Sequence, residues 1–310
     1  MTNYSTGTSH AKIILIGEHS AVYKKPSIVL PLFSLKMEAK ITPIQNGQTI
    51  HSRYYNGNLS DAPKNLLGIK ALVYNLLKKF NQSNANFDLQ IKSNIPSECG
   101  MGSSAASSIA VTKALHNYFN YPLNRSLLLS ESNIEEKITH GNPSGMDAAA
   151  ASSEAPIWFI KGKSVQQVPF NIHGSLIIAY TGIQSQTNQA VSLVHKRLID
   201  SSHHAQIKSA INQLGQIAID AKQNLQTGSI KNIGHNMDDA QKQLTTLGVS
   251  IKAIDNLIQT GKKAGALGAK LTGSGLGGCV IMIAFKKDAK HIAQALKFAG
   301  ATKTWIQNFN

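Results

Sequence analysis

Pro96-Ser97-Glu98-Cys99-Gly100-Met101-Gly102-Ser103-Ser104-Ala105 is the stretch from which the fold of this chain is best read. Just before it, Phe87, Leu89 and Ile91 alternate with Asp88, Gln90 and Lys92, which predicts a half-buried strand. Just after it, Ser103 to Phe119 reads as a helix whose first residues are small. Glycines between a strand and a helix let the backbone come close to a ligand. Successive amide N–H groups and the helix N-terminus then favour a phosphate. Ser103 and Ser104 are placed to cap the helix, and one of them to reach a metal ion; an ordinary glycine-rich turn with a serine cap is the plainer reading. Gly100-x-Gly102-x-x-Ala105 also fits a loose dinucleotide fingerprint, but Tyr118 to Arg125 hold no acidic residue for a ribose. No lysine follows the last glycine, so the loop is not a Walker sequence.

Working outward, Lys12 to Glu18 contains four consecutive aliphatic residues and reads as a buried strand. Lys36–Pro43 and Gln48–Tyr54 are further strand candidates, and Pro63 to Phe80 is a helix with Ile69, Val73, Leu76, Leu77 and Phe80 on one face. Leu123 to His140 reads as another helix, ended by Gly141-Asn142-Pro143. Two short strands are expected around Gly162 and an apolar strand over 175–180. Helices follow from 186 to about 263, with breaks near Ser202, Gly228 and Gly248. Cys279 to Phe285 is a strand, Ala289 to Phe298 a helix and Lys303 to Ile306 a last strand. Strands and helices mix without strict alternation, which favours an α+β fold with a boundary near 165–175.

Two more segments stand out. Gly273-Ser274-Gly275-Leu276-Gly277-Gly278 precedes a strand, which is the wrong context for a dinucleotide site. His140-Gly141-Asn142-Pro143-Ser144-Gly145-Met146-Asp147 ends on a carboxylate that can only accept hydrogen bonds when ionised. Lys12, Glu18-His19, Glu135 and Glu136 also lie near loop ends. No Gly-x-Ser-x-Gly elbow and no His-Glu-x-x-His helix is present, which disfavours a serine hydrolase or a zinc enzyme.

The 310 residues carry a formal net charge of +15, with 31 Lys and Arg against 16 Asp and Glu. Such a balance favours anionic partners. Nucleic acid and phosphorylated metabolites are the candidates. Basic runs never exceed two residues and only Arg53, Arg125 and Arg197 are arginines, which speaks against nucleic acid, and a solvated basic surface is the plainer reading. No apolar run reaches the length of a membrane span, and no secretory signal is visible at the start. Cys99 and Cys279 imply no disulfide framework. A cytoplasmic protein with no membrane or nucleic-acid partner is expected, and a homodimer is left open.

Three segments in order resemble the GHMP kinase superfamily, named for galactokinase, homoserine kinase, mevalonate kinase and phosphomevalonate kinase. They are Lys12–Tyr23, Pro96–Ala106 and Lys270–Cys279. His140 to Asp147 is nearest in pattern to the mevalonate-phosphorylating branch. The resemblance implies a half like ribosomal protein S5 domain 2 over 1–168 and a ferredoxin-like half over 169–310. It implies transfer of a phosphoryl group from ATP, with Mg²⁺, to the 5-hydroxyl of mevalonate. Asp147 would be the base, with Lys12 beside it. Gly100, Met101, Gly102, Ser103, Ser104 and Ala105 would wrap the phosphates. Glu136 with Ser103 or Ser104 would hold Mg²⁺, and Glu18, His19 and Thr187 would help place mevalonate. Glu98 departs from the small residues usual in the second segment. The alternatives are another kinase of the superfamily or a nucleic-acid-binding protein.

Overall fold

A computed structural model of the chain describes residues 4–96, 99–141 and 144–309. Ser97, Glu98, Asn142 and Pro143 lie outside the described residues, so the expectations for them stop at the sequence. The described residues fall into two compact units. One takes residues 4–12, 31–96 and 102–154; the other takes 13–30, 99–101 and 155–309.

The first unit is a sheet with helices. β1 (Ser5–Ile16) and β2 (Ser27–Pro43) run through both units. β3 (Gln48–His51), β4 (Asn56–Asn58) and, after the helix α1 (Leu67–Lys79), β5 (Phe87–Ser93) complete the order β4-β3-β5-β2. β2 pairs antiparallel with β5, Met37 opposite Ser93, and β3 runs parallel to β5. α1, α2 (Ser103–Tyr118) and α3 (Arg125–His140) pack on one another. Ile69, Leu72, Val73, Leu76 and Leu77 make the buried stripe of α1, as the spacing predicts. The six-residue α4 (Met146–Ala151) follows.

In the second unit Ser27–Val29 of β2 pair with β6 (Ile157–Phe159), which pairs with β7 (Gln166–Gln167). β8 (Gly174–Tyr180) is followed by four helices: α5 (Thr187–Ile199), α6 (His204–Thr227), α7 (Ile230–Leu247) and α8 (Lys252–Lys263). β9 (Gly268–Thr272), β10 (Cys279–Ala284), α9 (Ala289–Phe298) and β11 (Lys303–Phe309) finish the chain. The sheet order is β11-β8-β10-β9, all antiparallel. Numbered within this sheet, that is 4-1-3-2, the ferredoxin-like order expected of this half. The two central strands are buried almost throughout, which is why they read as continuous apolar runs.

The helix breaks expected at Ser202, Gly228 and Gly248 fall between α5, α6, α7 and α8, and Gly228 and Gly248 adopt left-handed C-caps. The spacing marks neither β4 nor β9 as a strand, and three further elements depart from expectation. β1 begins at Ser5 and β2 at Ser27, well before the expected starts, and α4 was read as loop. Gly145 in the left-handed region and four alanines start and sustain α4, but six residues are too few to show a helical period.

Candidate active site

The first constellation lies in the first unit. β1 delivers Lys12 and the first turn of α4 delivers Asp147; Lys12 Nζ stands 3.1 Å from Asp147 Oδ1. The lysine side chain is 4% exposed and the aspartate 34%, so the cation is seated in the unit while the carboxylate opens to solvent. The stem of Lys12 lies against Gly102: a Cβ there would be 2.9 Å from Lys12 Cε and Cγ. Gly102 therefore serves both a positive φ of 72° and the passage of Lys12.

α3 adds Glu135 and Glu136, both buried. The Glu136 carboxyl is pushed up to about 8, first by burial, then by the negative charges of Asp147 and Glu135; Lys12 and the neighbouring Ser104 hydroxyl pull it back only in part. Ser104 Oγ donates to Glu135 Oε1 at 2.6 Å. Lys12 thus acts on Asp147 and Glu136, and Glu135 adds a third carboxylate beside Glu136. Glu135 Oε2 is also buried with no hydrogen-bond partner among the described residues. An oxygen-only donor set with excess negative charge fits a hard divalent cation such as Mg²⁺. Among the described residues no three acidic, cysteine or histidine side chains form a cage by themselves.

Gly102, not a serine, is the N-cap of α2, and no side chain caps that helix. The expected capping role of Ser103 or Ser104 is corrected accordingly: both sit in the first helical turn, whose N–H groups have no partner within the helix. Ser103 turns elsewhere than Ser104, lining a small recess with Met37, Arg53, Tyr54 and Ser107. Ala105 is buried behind them.

The second constellation lies in the second unit. Glu18 and Lys270 form a wholly buried ion pair, and Lys270 Nζ also donates to Leu271 O at 2.6 Å. Burial lowers the Lys270 ammonium and Glu18 pulls it back up. His19, next in the chain, has φ 59° and ψ −44°, with Ser20 N donating to Glu18 O at 2.6 Å. That is a tight three-residue turn of the rare, strained kind. His19 Nε2 faces Ser274 O at 2.8 Å; a carbonyl only accepts, so Nε2 carries the hydrogen. Burial, with Lys270 nearby, lowers the His19 imidazole and keeps it neutral. Ser274 Oγ in turn meets Ser185 Oγ at 2.5 Å and accepts from Thr187 Oγ1 at 3.4 Å. Ser274 thus links His19 to Thr187, which opens α5.

Gly100 belongs to this unit and passes close to Gly273: a Cβ built on it would stand 3.8 Å from the Gly273 Cα. Met101 is buried. Cys99 and Cys279 remain thiols in contact, and the Cys279 thiol is raised first by its hydrogen bond with Cys99 and then by burial. Glu135, Lys270, Ser185 and Ser274 were not assigned from the sequence. A lysine inside the apolar strand Ala269-Lys270-Leu271 was the one visible signal among them.

Comparison with known proteins follows the same division. Residues 68–154 match the GHMP kinases N terminal domain and residues 221–302 the GHMP kinases C terminal domain, together more than half of the chain. The mevalonate kinase of Pyrococcus furiosus is 28% identical over 94% of this chain and 92% of its own. The crystal structure of mevalonate kinase from methicillin-resistant Staphylococcus aureus is 29% identical, covers 98% of both chains and superposes with a TM-score of 0.78. That of Methanococcus jannaschii, at 22% identity, shares the fold with a TM-score of 0.87 over 99% of both chains.

Proposed function

The chain belongs to the GHMP kinases, and we propose that it phosphorylates the 5-hydroxyl of mevalonate from ATP. It is an ATP-dependent kinase of small molecules. The substrate rests on mevalonate kinases that match along more than nine tenths of both chains. The observation that carries the chemistry is the Lys12–Asp147 pair, a seated cation beside a solvent-facing carboxylate.

Asp147 accepts the hydroxyl proton as the oxygen attacks. Lys12 holds Asp147 in place and favours negative charge on the attacking oxygen. Phosphoryl transfer asks for positioning and neutralised oxygen charge more than covalent help from the protein. Backbone amides of Gly100, Met101, Gly102, Ser103, Ser104 and Ala105 take the phosphates at the start of α2. Glu136 and Ser104 hold Mg²⁺, which when bound neutralises phosphate charge. Glu18, His19 and Thr187 help place mevalonate: Glu18, buried with Lys270, does so by holding the turn that carries His19, and His19 offers Nδ1 as an acceptor for a hydroxyl because Nε2–H is committed to Ser274. Residues 1–168 form the nucleotide-binding domain and 169–310 the C-terminal domain of this reading. The enzyme is cytoplasmic; among the described residues no helix is long and apolar enough to cross a membrane.

The test is ADP release from MgATP with mevalonate, phosphomevalonate, homoserine and galactose offered separately. Turnover is expected with mevalonate alone. Turnover with another of the four keeps the family and overturns the substrate.

A further inference from the structure

Glu135 has no part in the chemistry above, yet it is buried at the edge of the charged cluster and is tied to the nucleotide loop. We propose that Glu135 is a positioning residue: it takes the hydroxyl hydrogen of Ser104 and so turns the Ser104 oxygen lone pairs toward the cation and phosphates. The inference rests on the kinase reading above.

The geometry is specific. Ser104 Oγ lies 2.6 Å from Glu135 Oε1, and an ionised carboxylate oxygen can only accept. A hydroxyl has one hydrogen and two lone pairs. With the hydrogen spent on Glu135, what Ser104 offers elsewhere is an acceptor, the form a metal ion requires. Ser103, one residue earlier, lines a different recess and has no carboxylate partner among the described residues. The choice between the two serines is therefore made by Glu135.

Glu135 is itself held. Thr139, one helical turn later on α3, donates to the same Oε1 at 2.8 Å. α1 makes room for the carboxylate at Gly68, where a Cβ would be 2.9 Å from Glu135 Cγ and 3.0 Å from Oε1. The second oxygen, Oε2, is buried without a hydrogen-bond partner among the described residues. Leaving a buried carboxylate oxygen unpaired is unfavourable, and helix packing alone would be served better by an apolar side chain of the same size. Both hydrogen bonds that Glu135 accepts, from Ser104 and Thr139, fall on the same Oε1, so its effect runs through Ser104.

The experiment measures Mn²⁺·ADP affinity by calorimetry, steady-state KM for MgATP and for mevalonate, and thermal melting. The variants are Glu135→Ala, Glu135→Gln, Ser104→Ala and the double Glu135→Ala/Ser104→Ala. Losing one oriented hydrogen-bonded ligand is expected to weaken Mn²⁺·ADP and raise KM for MgATP about tenfold in E135A, with KM for mevalonate unchanged. E135Q, whose amide oxygen still accepts from Ser104, stays near wild type. The double variant binds no more weakly than S104A, because the two residues act as one unit. If E135A fails to fold, Glu135→Met fills the space without accepting a hydrogen bond and takes its place. Unchanged Mn²⁺·ADP affinity in E135A, an E135Q as impaired as E135A, or additive losses in the double variant each overturn the proposal. Mn²⁺·ADP binding is read without mevalonate, so a wild-type chain that binds it but leaves mevalonate unphosphorylated removes only the substrate assignment.

Discussion

The Lys12–Asp147 cluster and the Glu18–Lys270 corner each set a lysine against carboxylates, and they treat charge in opposite ways. In the corner one cation meets one anion, both wholly buried, with the lysine also bonded to a carbonyl. In the cluster one cation faces Asp147 and acts on Glu136, Glu135 lies beside Glu136, and the surplus shows in the raised Glu136 carboxyl. A balanced buried pair holds a turn in place; an unbalanced, partly open group is built for a charge that the chain does not itself supply. The difference separates scaffold from chemistry more clearly than burial does, since Lys12 and Glu136 are themselves buried.

Six substitutions probe this contrast. Asp147→Asn should lower kcat by about 10²–10⁴-fold, the usual worth of a general base, with an unchanged circular dichroism spectrum. A variant that keeps more than roughly a tenth of wild-type kcat would remove the base role. Lys270→Met should destabilise the chain by about 3–5 kcal/mol in denaturant unfolding, because it strands Glu18 as a buried charge. Adding Glu18→Leu should then recover much of that stability, since both charges leave together; no recovery would mean the corner is not a balanced pair.

Glu136→Gln should do the reverse. Its folded-state carboxyl, at about 8, lies above the ordinary value of 4.5. Its contribution to stability is therefore present in full below 4.5 and is lost as pH rises toward 8, at up to about 1.4 kcal/mol per pH unit. Metal-free E136Q should lose less stability than wild type between pH 5 and 8, read by melting temperature. Equal slopes would show that the cluster carries no surplus charge. The smallest effect separates the serines: Ser104→Ala should raise KM for MgATP roughly tenfold, on the scale of one hydrogen bond, and Ser103→Ala should change it less. The opposite order would reassign the ligand.

Much of the site was readable because its signals are local. Gly100 and Gly102 between an alternating strand and a small-residue helix marked the loop, and both adopt positive φ. The resemblance carried by the three ordered segments and by His140 to Asp147 pointed to Lys12, Glu136 and Asp147, which the fold gathers in one unit. Glu135 was visible as a neighbour of Glu136, but nothing in the spacing said that its partner would be Ser104, 31 residues away. Serine as a helix cap was a sound local expectation that the left-handed Gly102 displaced.

By itself the sequence determined the kinds of elements, the glycine turns and the α+β character, because hydrophobic period and backbone freedom act over a few residues. Tertiary structure decided which charges are balanced. Lys270 finds Glu18 across 252 residues, and Ser274 joins His19 to Thr187. Lys12 threads past a glycine to reach Asp147. Pairings of that range depend on burial and on the meeting of distant strands and helices, which no local pattern encodes.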